Sequence, residues 1–170
     1  MHPLVKLAKD TVELYIREHK ILEISEDELS PEARQRAGVF VCLKIRDNLR
    51  GCIGTFQPME PSIAHEIVRN AISAATCDPR FSCVRTDELD AIEYTVDILT
   101  PPEKIVNRSE LDPMRFGVIV QAGARRGLLL PDLDGVDTID QQIGIAMQKA
   151  GISPGSPIEL FRFEVKRFEQ

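Results

Sequence analysis

A six-residue run, Leu49-Arg50-Gly51-Cys52-Ile53-Gly54, concentrates more potential chemistry than any other part of the chain. Cysteine reacts as its thiolate, and a neighbouring cation lowers the thiol pKa and so favours that form. Side chains of an extended strand alternate between faces, so Arg50 and Cys52 share one face. Gly51 and Gly54 let a ligand or another backbone approach closely. The run predicts a site with Cys52 as nucleophile or thiol ligand and Arg50 as anion clamp.

The sequence leaves two interpretations of Cys52 open. In the first it is a reactive thiol, with His65 of the next predicted helix as its base, because thiol–imidazole pairs activate cysteine nucleophiles. In the second it is a small buried thiol in a glycine-rich strand packed under a helix, a common use of free cysteine. His65 is then an ordinary surface histidine of that helix.

A second charged group, Asp78-Pro79-Arg80-Phe81, follows the same predicted helix. Arginine serves both bidentate anion recognition and ion pairing. Arg80 therefore either captures an anion near Cys52 or forms an ion pair with Asp78 that shapes the loop while Phe81 fills the core. Both interpretations stay open, and Asp78 and Arg80 are candidate binding residues together with Arg50, Gly51 and Gly54.

Other polar clusters predict no site. Arg125-Arg126 is interpreted as a solvated hairpin tip, and Asp132, Asp134 and Asp137 as turn and cap residues without the spacing of a calcium loop. The four cysteines lack C-x-x-C spacing and only three histidines exist, so we expect neither a metal nor a cofactor, and we expect reduced thiols. Phosphate-loop and dinucleotide-binding motifs are missing as well.

A hairpin is predicted to carry the six-residue run. Val39–Ile45 is β-branched and apolar, and its partner is Leu49–Phe56. A two-residue loop would mix apolar and polar faces, whereas a three-residue loop, Arg46-Asp47-Asn48 with Asn48 left-handed, keeps one face apolar. The three-residue loop predicts a core position for Leu49 and Ile53, and these opposed pairs: Ile45 with Leu49, Val41 with Ile53, Cys42 with Cys52, and Lys44 with Arg50.

The remaining elements mix helices with strands without a regular alternation, which predicts an α+β fold. Apolar spacing predicts a first helix over residues 4–20 and a second over residues 62–76, and alternation predicts a strand from Ile92 to Ile98. Beyond Pro101-Pro102 we expect a second hairpin, a helix that begins with a capping box at Thr138 and ends at Gly151, and a final strand over Phe161, Phe163 and Val165.

Composition indicates an ordinary globular protein. The chain has 170 residues, 43% hydrophobic and 28% charged, a length that suits one domain or one domain with two lobes. A net charge of -6 argues against a broad nucleic-acid surface. The first residues resemble neither a signal peptide nor a membrane span, so we expect a cytoplasmic location and no membrane partner.

The run LRGCIG, followed by Thr55-Phe56, resembles the hallmark of the AMMECR family, whose prokaryotic branch is called AmmeMemoRadiSam system protein A. The resemblance covers most of the chain. It is carried in order by residues 38–56, 70–75, 78–81, 92–102 and 126–131, and by Val136-Asp137-Thr138. Cys77 and Cys83 depart from the pattern, because a basic residue and a proline are more usual there.

The resemblance implies a larger lobe with an antiparallel sheet flanked by helices, a smaller α+β lobe, and a cleft between them. We expect the larger lobe to comprise about residues 1–99 and 158–170, and the smaller one about residues 102–157. The family's gene neighbours imply a pathway with a Memo-like protein and a radical SAM protein.

Two functions follow as hypotheses. The first is an enzyme or enzyme subunit that acts on a small or modified substrate in the cleft through Cys52 and Arg50. The second is a non-catalytic binding or adaptor module in which LRGCIG is a structural hairpin or a docking surface.

Overall fold

The structure, a computed structural model, describes residues 1–170 and divides them into two compact units. The first unit comprises Met1–Ile98 and Lys166–Gln170, and the second comprises Leu99–Val165. Each unit contains a four-stranded sheet, and a helix packs on two strands of each sheet. This confirms the α+β class and the expectation of two lobes.

The first sheet has the strand order β2-β1-β3-β8; helix α2 packs on β1 and β2, and helix α1 packs on α2. A short 3-10 helix, Thr86–Ala91, precedes β3. The bounds are α1 Pro3–Glu18, β1 Gly38–Ile45, β2 Asn48–Thr55, α2 Ile63–Thr76, β3 Ile92–Leu99 and β8 Val165–Glu169.

The second sheet has the order β4-β7-β5-β6, and its neighbouring strands pair antiparallel. Helix α3 packs on β5 and β6. The bounds are β4 Glu103–Ile105, β5 Gly117–Ala122, β6 Arg125–Leu129, α3 Ile139–Ala150 and β7 Glu159–Phe163. Thr138 and Gly151 cap α3 as predicted.

Both units repeat the same local topology, although no repeat is visible in the sequence. Each has a hairpin, then a helix, then a strand that pairs with the first strand of the hairpin: β1-β2-α2-β3 and β5-β6-α3-β7. In each, a glycine of the second hairpin strand lies directly against a helix carbonyl. A Cβ on Gly51 would collide with the carbonyl oxygen of Ala74, and one on Gly127 with that of Ala146.

The core of the first unit lies between the sheet and the two helices. Val39, Val41 and Leu43 of β1 are completely buried there, on the same face as Gly51. Ser62 caps the first turn of α2, which confirms the predicted start of that helix within one residue. No helix in the chain is sufficiently long and apolar to cross a bilayer.

The predicted final strand is in fact two strands. Residues 159–163 form β7 of the second sheet, whereas β8 belongs to the first. Between them, the N–H and C=O of Glu164 bond to the hydroxyl and N–H of Thr100, which follows β3. The placement of residues 159–163 with the sheet of the larger lobe was therefore wrong, because uninterrupted apolar–polar alternation does not show which sheet supplies the hydrogen-bond partners.

We predict that Gly51→Ala destabilises the protein by about 1–3 kcal/mol, because the added methyl group must displace the backbone of α2. Chemical denaturation measures the change. Gly144→Ala is the matched control, because Gly144 lies inside α3 with open space around it, and there we expect a gain of about 0.5–1 kcal/mol. Equal stability of Gly51→Ala and the parent protein would contradict the close approach.

Candidate functional site

The predicted site lies on the β1–β2 hairpin, whose turn is tighter than expected. Ile45 pairs with Asn48, so the loop has two residues, Arg46 and Asp47, and both have positive φ, 50° and 64°. That is the pattern of a type I′ turn, whose twist matches the twist of the strands. The prediction of a three-residue loop with a left-handed Asn48 was wrong, because the turn contains two consecutive left-handed residues although neither is glycine.

A β-bulge at Arg50 restores the register that the longer loop would have given. Lys44 pairs with Leu49 and Leu43 pairs with Gly51, so no residue of β1 lies opposite Arg50. One extra residue in a strand shifts every later pair by one position. The predicted pairs Cys42–Cys52 and Val41–Ile53 are therefore confirmed, whereas Ile45–Leu49 and Lys44–Arg50 were wrong.

The bulge also decides which residues reach the core. Leu49 is 39% exposed, which corrects its predicted core position, while Ile53 packs against the core as expected. Gly51 faces α2, so Cys52 faces the opposite side of the sheet and is half-buried. On that side Gly54 makes room for the ring of Phe40, which a Cβ would strike.

Cys42 and Cys52 form a disulfide, with Cα atoms 4.1 Å apart. The expectation of reduced thiols was wrong for this pair: the facing of Cys42 and Cys52 was predicted, but residue types and spacing do not show whether two opposed thiols are bonded. Cys77 and Cys83 are free and exposed.

The Arg50 guanidinium contacts the segment that follows α2 and not the sulfur atoms. It forms a bidentate ion pair with Glu88, at 2.8 Å and 3.0 Å, and donates to the carbonyl oxygens of Ser82 and Cys83. Hydrogen bonds from Arg50 lower the pKa of Glu88. The Arg50 side chain is only 14% exposed, so its guanidinium interacts mainly with groups of the fold and little with solvent.

Asp78 and Arg80 supply the hydrogen-bond partners of the Cys52 backbone at the outer edge of β2. The Asp78 carboxylate accepts the Cys52 N–H at 2.9 Å, and an Arg80 N–H donates to the Cys52 carbonyl at 3.2 Å. Arg80 also donates to both oxygens of Asp78. These two side chains thus occupy the places where a further strand would pair. The structure contains the Asp78–Arg80 ion pair, and half of the Arg80 side chain is exposed.

The Asp78 carboxyl is held in its charged form. Its side chain is 2% exposed, yet hydrogen bonds from Arg80, and to a smaller extent from the Cys52 and Arg80 backbones, lower its pKa far below the ordinary value of 3.8. Burial acts in the opposite direction and is outweighed.

His65 is directed away from Cys52. Its Nδ1 is 2.8 Å from the Ser62 hydroxyl, and its Nε2 is 3.9 Å from a Glu26 carboxylate oxygen. Within the chain no group of three His, Cys, Asp or Glu residues is placed to hold a metal ion.

Two glutamates of this region were missed in the sequence. Glu66 is completely buried in α2 and accepts hydrogen bonds from Thr55 and from the backbone of residues 59 and 60. Glu88 accepts the N–H of Arg85, three residues before it, in addition to Arg50. Of these contacts, only the bond from Glu88 to Arg85 could have been recognised, from its capping-box position, because the ion pair of Glu88 with Arg50 joins residues 38 positions apart.

Fold and site together define a two-unit α+β protein whose conspicuous motif is a disulfide-linked hairpin. The AMMECR1 family model matches residues 5–168, and the chain belongs to this family. A protein of Thermotoga maritima is 52% identical over 99% of this chain and 98% of its own length. A protein of Clostridium acetobutylicum is 44% identical, and this chain matches 36% of its length.

A solved structure has the same fold. The crystal structure of an uncharacterised protein from Pyrococcus horikoshii superimposes with a TM-score of 0.90 at 32% identity, over 98% of this chain and 89% of that one.

We predict that Asp78→Asn lowers stability by about 1.5–3 kcal/mol at neutral pH, because charge-assisted hydrogen bonds to Arg80 and Cys52 are lost. The lowered pKa means that the carboxylate stabilises the fold above its unfolded pKa and that this contribution is lost as the pH falls through its folded pKa. Urea denaturation at several pH values should show the difference between the two proteins narrowing below about pH 3.9. A difference independent of pH would contradict this role.

Proposed function

We propose that this protein is a binding or adaptor module that works with Memo-like and radical SAM proteins, and that LRGCIG is the structural centre of its docking surface. The hydrogen bonds that the charged side chains of this region make within the fold support this proposal. Four of the five N–H donors of Arg50 bond to Glu88 and to two carbonyls, which leaves little capacity to clamp a substrate anion.

These contacts hold a rigid support for the end of the hairpin. Arg50 ties β2 to residues 82–88, and Asp78 with Arg80 ties it to the end of α2. We define the hairpin tip as residues 44–49. All of it except Ile45 is exposed, and it includes Leu49. An exposed apolar residue on a rigid support, next to charged residues, is a suitable anchor for a partner protein.

We predict that Leu49→Asp weakens binding of a Memo-like or radical SAM partner about tenfold or more, because an interface anchor contributes at least 1–2 kcal/mol. Calorimetric titration of the purified chain with each protein encoded beside it measures the affinity. Val106→Asp is the matched control, because Val106 is a 90% exposed apolar residue in the second unit. No binding by the parent protein, or equal effects of the two substitutions, would refute the docking role.

A second candidate function is catalysis at Cys52 on a small anionic or modified substrate. One observation favours it, although the cation beside Cys52 is then Arg80 and not Arg50 as predicted. The half-exposed guanidinium of Arg80 contacts the Cys52 backbone. Arg80 supplies the positive charge that favours a thiolate and attracts an anion once Cys52 is reduced. In cells, Cys52→Ser would then abolish the pathway's activity, whereas an adaptor would retain it.

We predict that Arg80→Gln lowers the ratio of the iodoacetate to the iodoacetamide rate constant at reduced Cys52 about two- to fivefold. The charged reagent feels the guanidinium and the neutral one does not, and an exposed ion pair is worth about 0.5–1 kcal/mol. Alkylation followed by mass spectrometry of the Cys52 peptide gives both rates, and the ratio cancels general changes in accessibility. Arg85→Gln, at an exposed site nearby in sequence, is the control. An unchanged ratio in Arg80→Gln would remove this candidate.

A further inference from the structure

We propose that Cys42 and Cys52 are a reversible dithiol–disulfide couple that exchanges electrons with thiols, above all dithiols, through attack at Cys52. The proposal needs no partner binding at the hairpin tip and no catalysis on an anionic substrate. It rests on where the hairpin places the two sulfur atoms.

The first support is the register. Cys42 and Cys52 are directly opposite residues with Cα atoms 4.1 Å apart, close to the spacing of a pair that exchanges no backbone hydrogen bonds. In such a pair the N–H and C=O groups point away from the partner strand, and those of Cys52 indeed bond to Asp78 and Arg80. The backbone therefore holds the two residues together whether or not the sulfur atoms are bonded.

The second support is the environment of the sulfur atoms. Both cysteines are half-buried, on the face of the sheet opposite α2. Exchange requires that a thiolate reach a sulfur atom, and accessible disulfides are the labile ones. The fold does not depend on this bond alone, because Arg50, Asp78 and Arg80 tie β2 to the rest of the unit independently.

The third support is the direction of attack. A cross-strand S–S bond runs across the sheet, and a thiolate approaches along the extension of that bond. Beyond Cys42 in this direction the next strand is β3, whereas Cys52 lies on β2 at the edge of the sheet. The half-exposed Arg80 guanidinium is located at that edge, in its ion pair with Asp78. Cys52 is therefore the attacked residue and Cys42 the leaving group.

The exchange balances with a dithiol as co-reactant. One thiolate of the dithiol bonds to the Cys52 sulfur, the Cys42–Cys52 bond breaks, and Cys42 leaves as a thiolate that takes a proton from water. The second thiolate then attacks the dithiol sulfur of the mixed disulfide and releases Cys52 as a thiolate, which is protonated in turn. Two electrons have moved to the protein, and the dithiol has become a disulfide. Oxidation of the protein is the reverse.

Redox titration of the folded protein tests the couple. Cys77 and Cys83 are first replaced by serine, because they are free and exposed. The protein is then equilibrated with mixtures of reduced and oxidised dithiothreitol without denaturant, the thiols are blocked, and the masses are measured. We expect complete, reversible gain and loss of two blocked thiols with an unchanged circular dichroism spectrum. The proposal is overturned if the disulfide is reduced only in denaturant, or if oxidised dithiothreitol does not re-form it.

Trapping with glutathione tests the direction. In the same background, Cys42→Ser leaves Cys52 as the remaining thiol, and Cys52→Ser leaves Cys42. We expect oxidised glutathione to form a mixed disulfide with Cys52 at least about tenfold faster than with Cys42, because only Cys52 lies at the sheet edge. Spectra of both variants establish that they are folded. Equal rates, or a faster reaction at Cys42, refute attack at Cys52.

Discussion

The contact of the Gly51 backbone with the carbonyl of Ala74 is the constraint on which the rest of the hairpin depends. It presses β2 against α2 without a side chain between them, and it fixes which face of the strand is turned to the core. Once Gly51 faces the helix, Cys52 faces the other way, since neighbouring residues of a strand alternate. The equivalent contact of Gly127 with Ala146 in the second unit shows that the repeated hairpin–helix topology uses the same device twice.

Charged side chains secure the edge of the sheet that this packing leaves open. An edge strand presents unpaired N–H and C=O groups that must find partners. At Cys52 those partners are Asp78 and Arg80, and next to them the bulged Arg50 reaches Glu88. Charged side chains from inside and outside the hallmark motif thus organise the backbone around the cysteine pair.

The hairpin illustrates how far sequence reasoning extends in this protein. The facing of Cys42 and Cys52 was predicted correctly, yet from the wrong loop: a two-residue turn with a bulge at Arg50 gives the same register as a three-residue turn without one. The apolar pattern constrains only the residues beyond the bulge, where one face is buried. Leu49 and Arg50 lie before that point, so their positions depend on turn geometry and on the distant Glu88.

The sequence by itself determined the family, the α+β class, the capping box at Thr138, and the facing of Cys42 and Cys52, because these depend on local chemistry and on the two-residue period of a strand. Only the tertiary structure decided that Arg50 pairs with Glu88, that Asp78 and Arg80 close the edge at Cys52, and that residues 159–163 join the second sheet. Those outcomes join residues far apart in the chain, and a charged side chain carries no local sign of which distant partner it will meet.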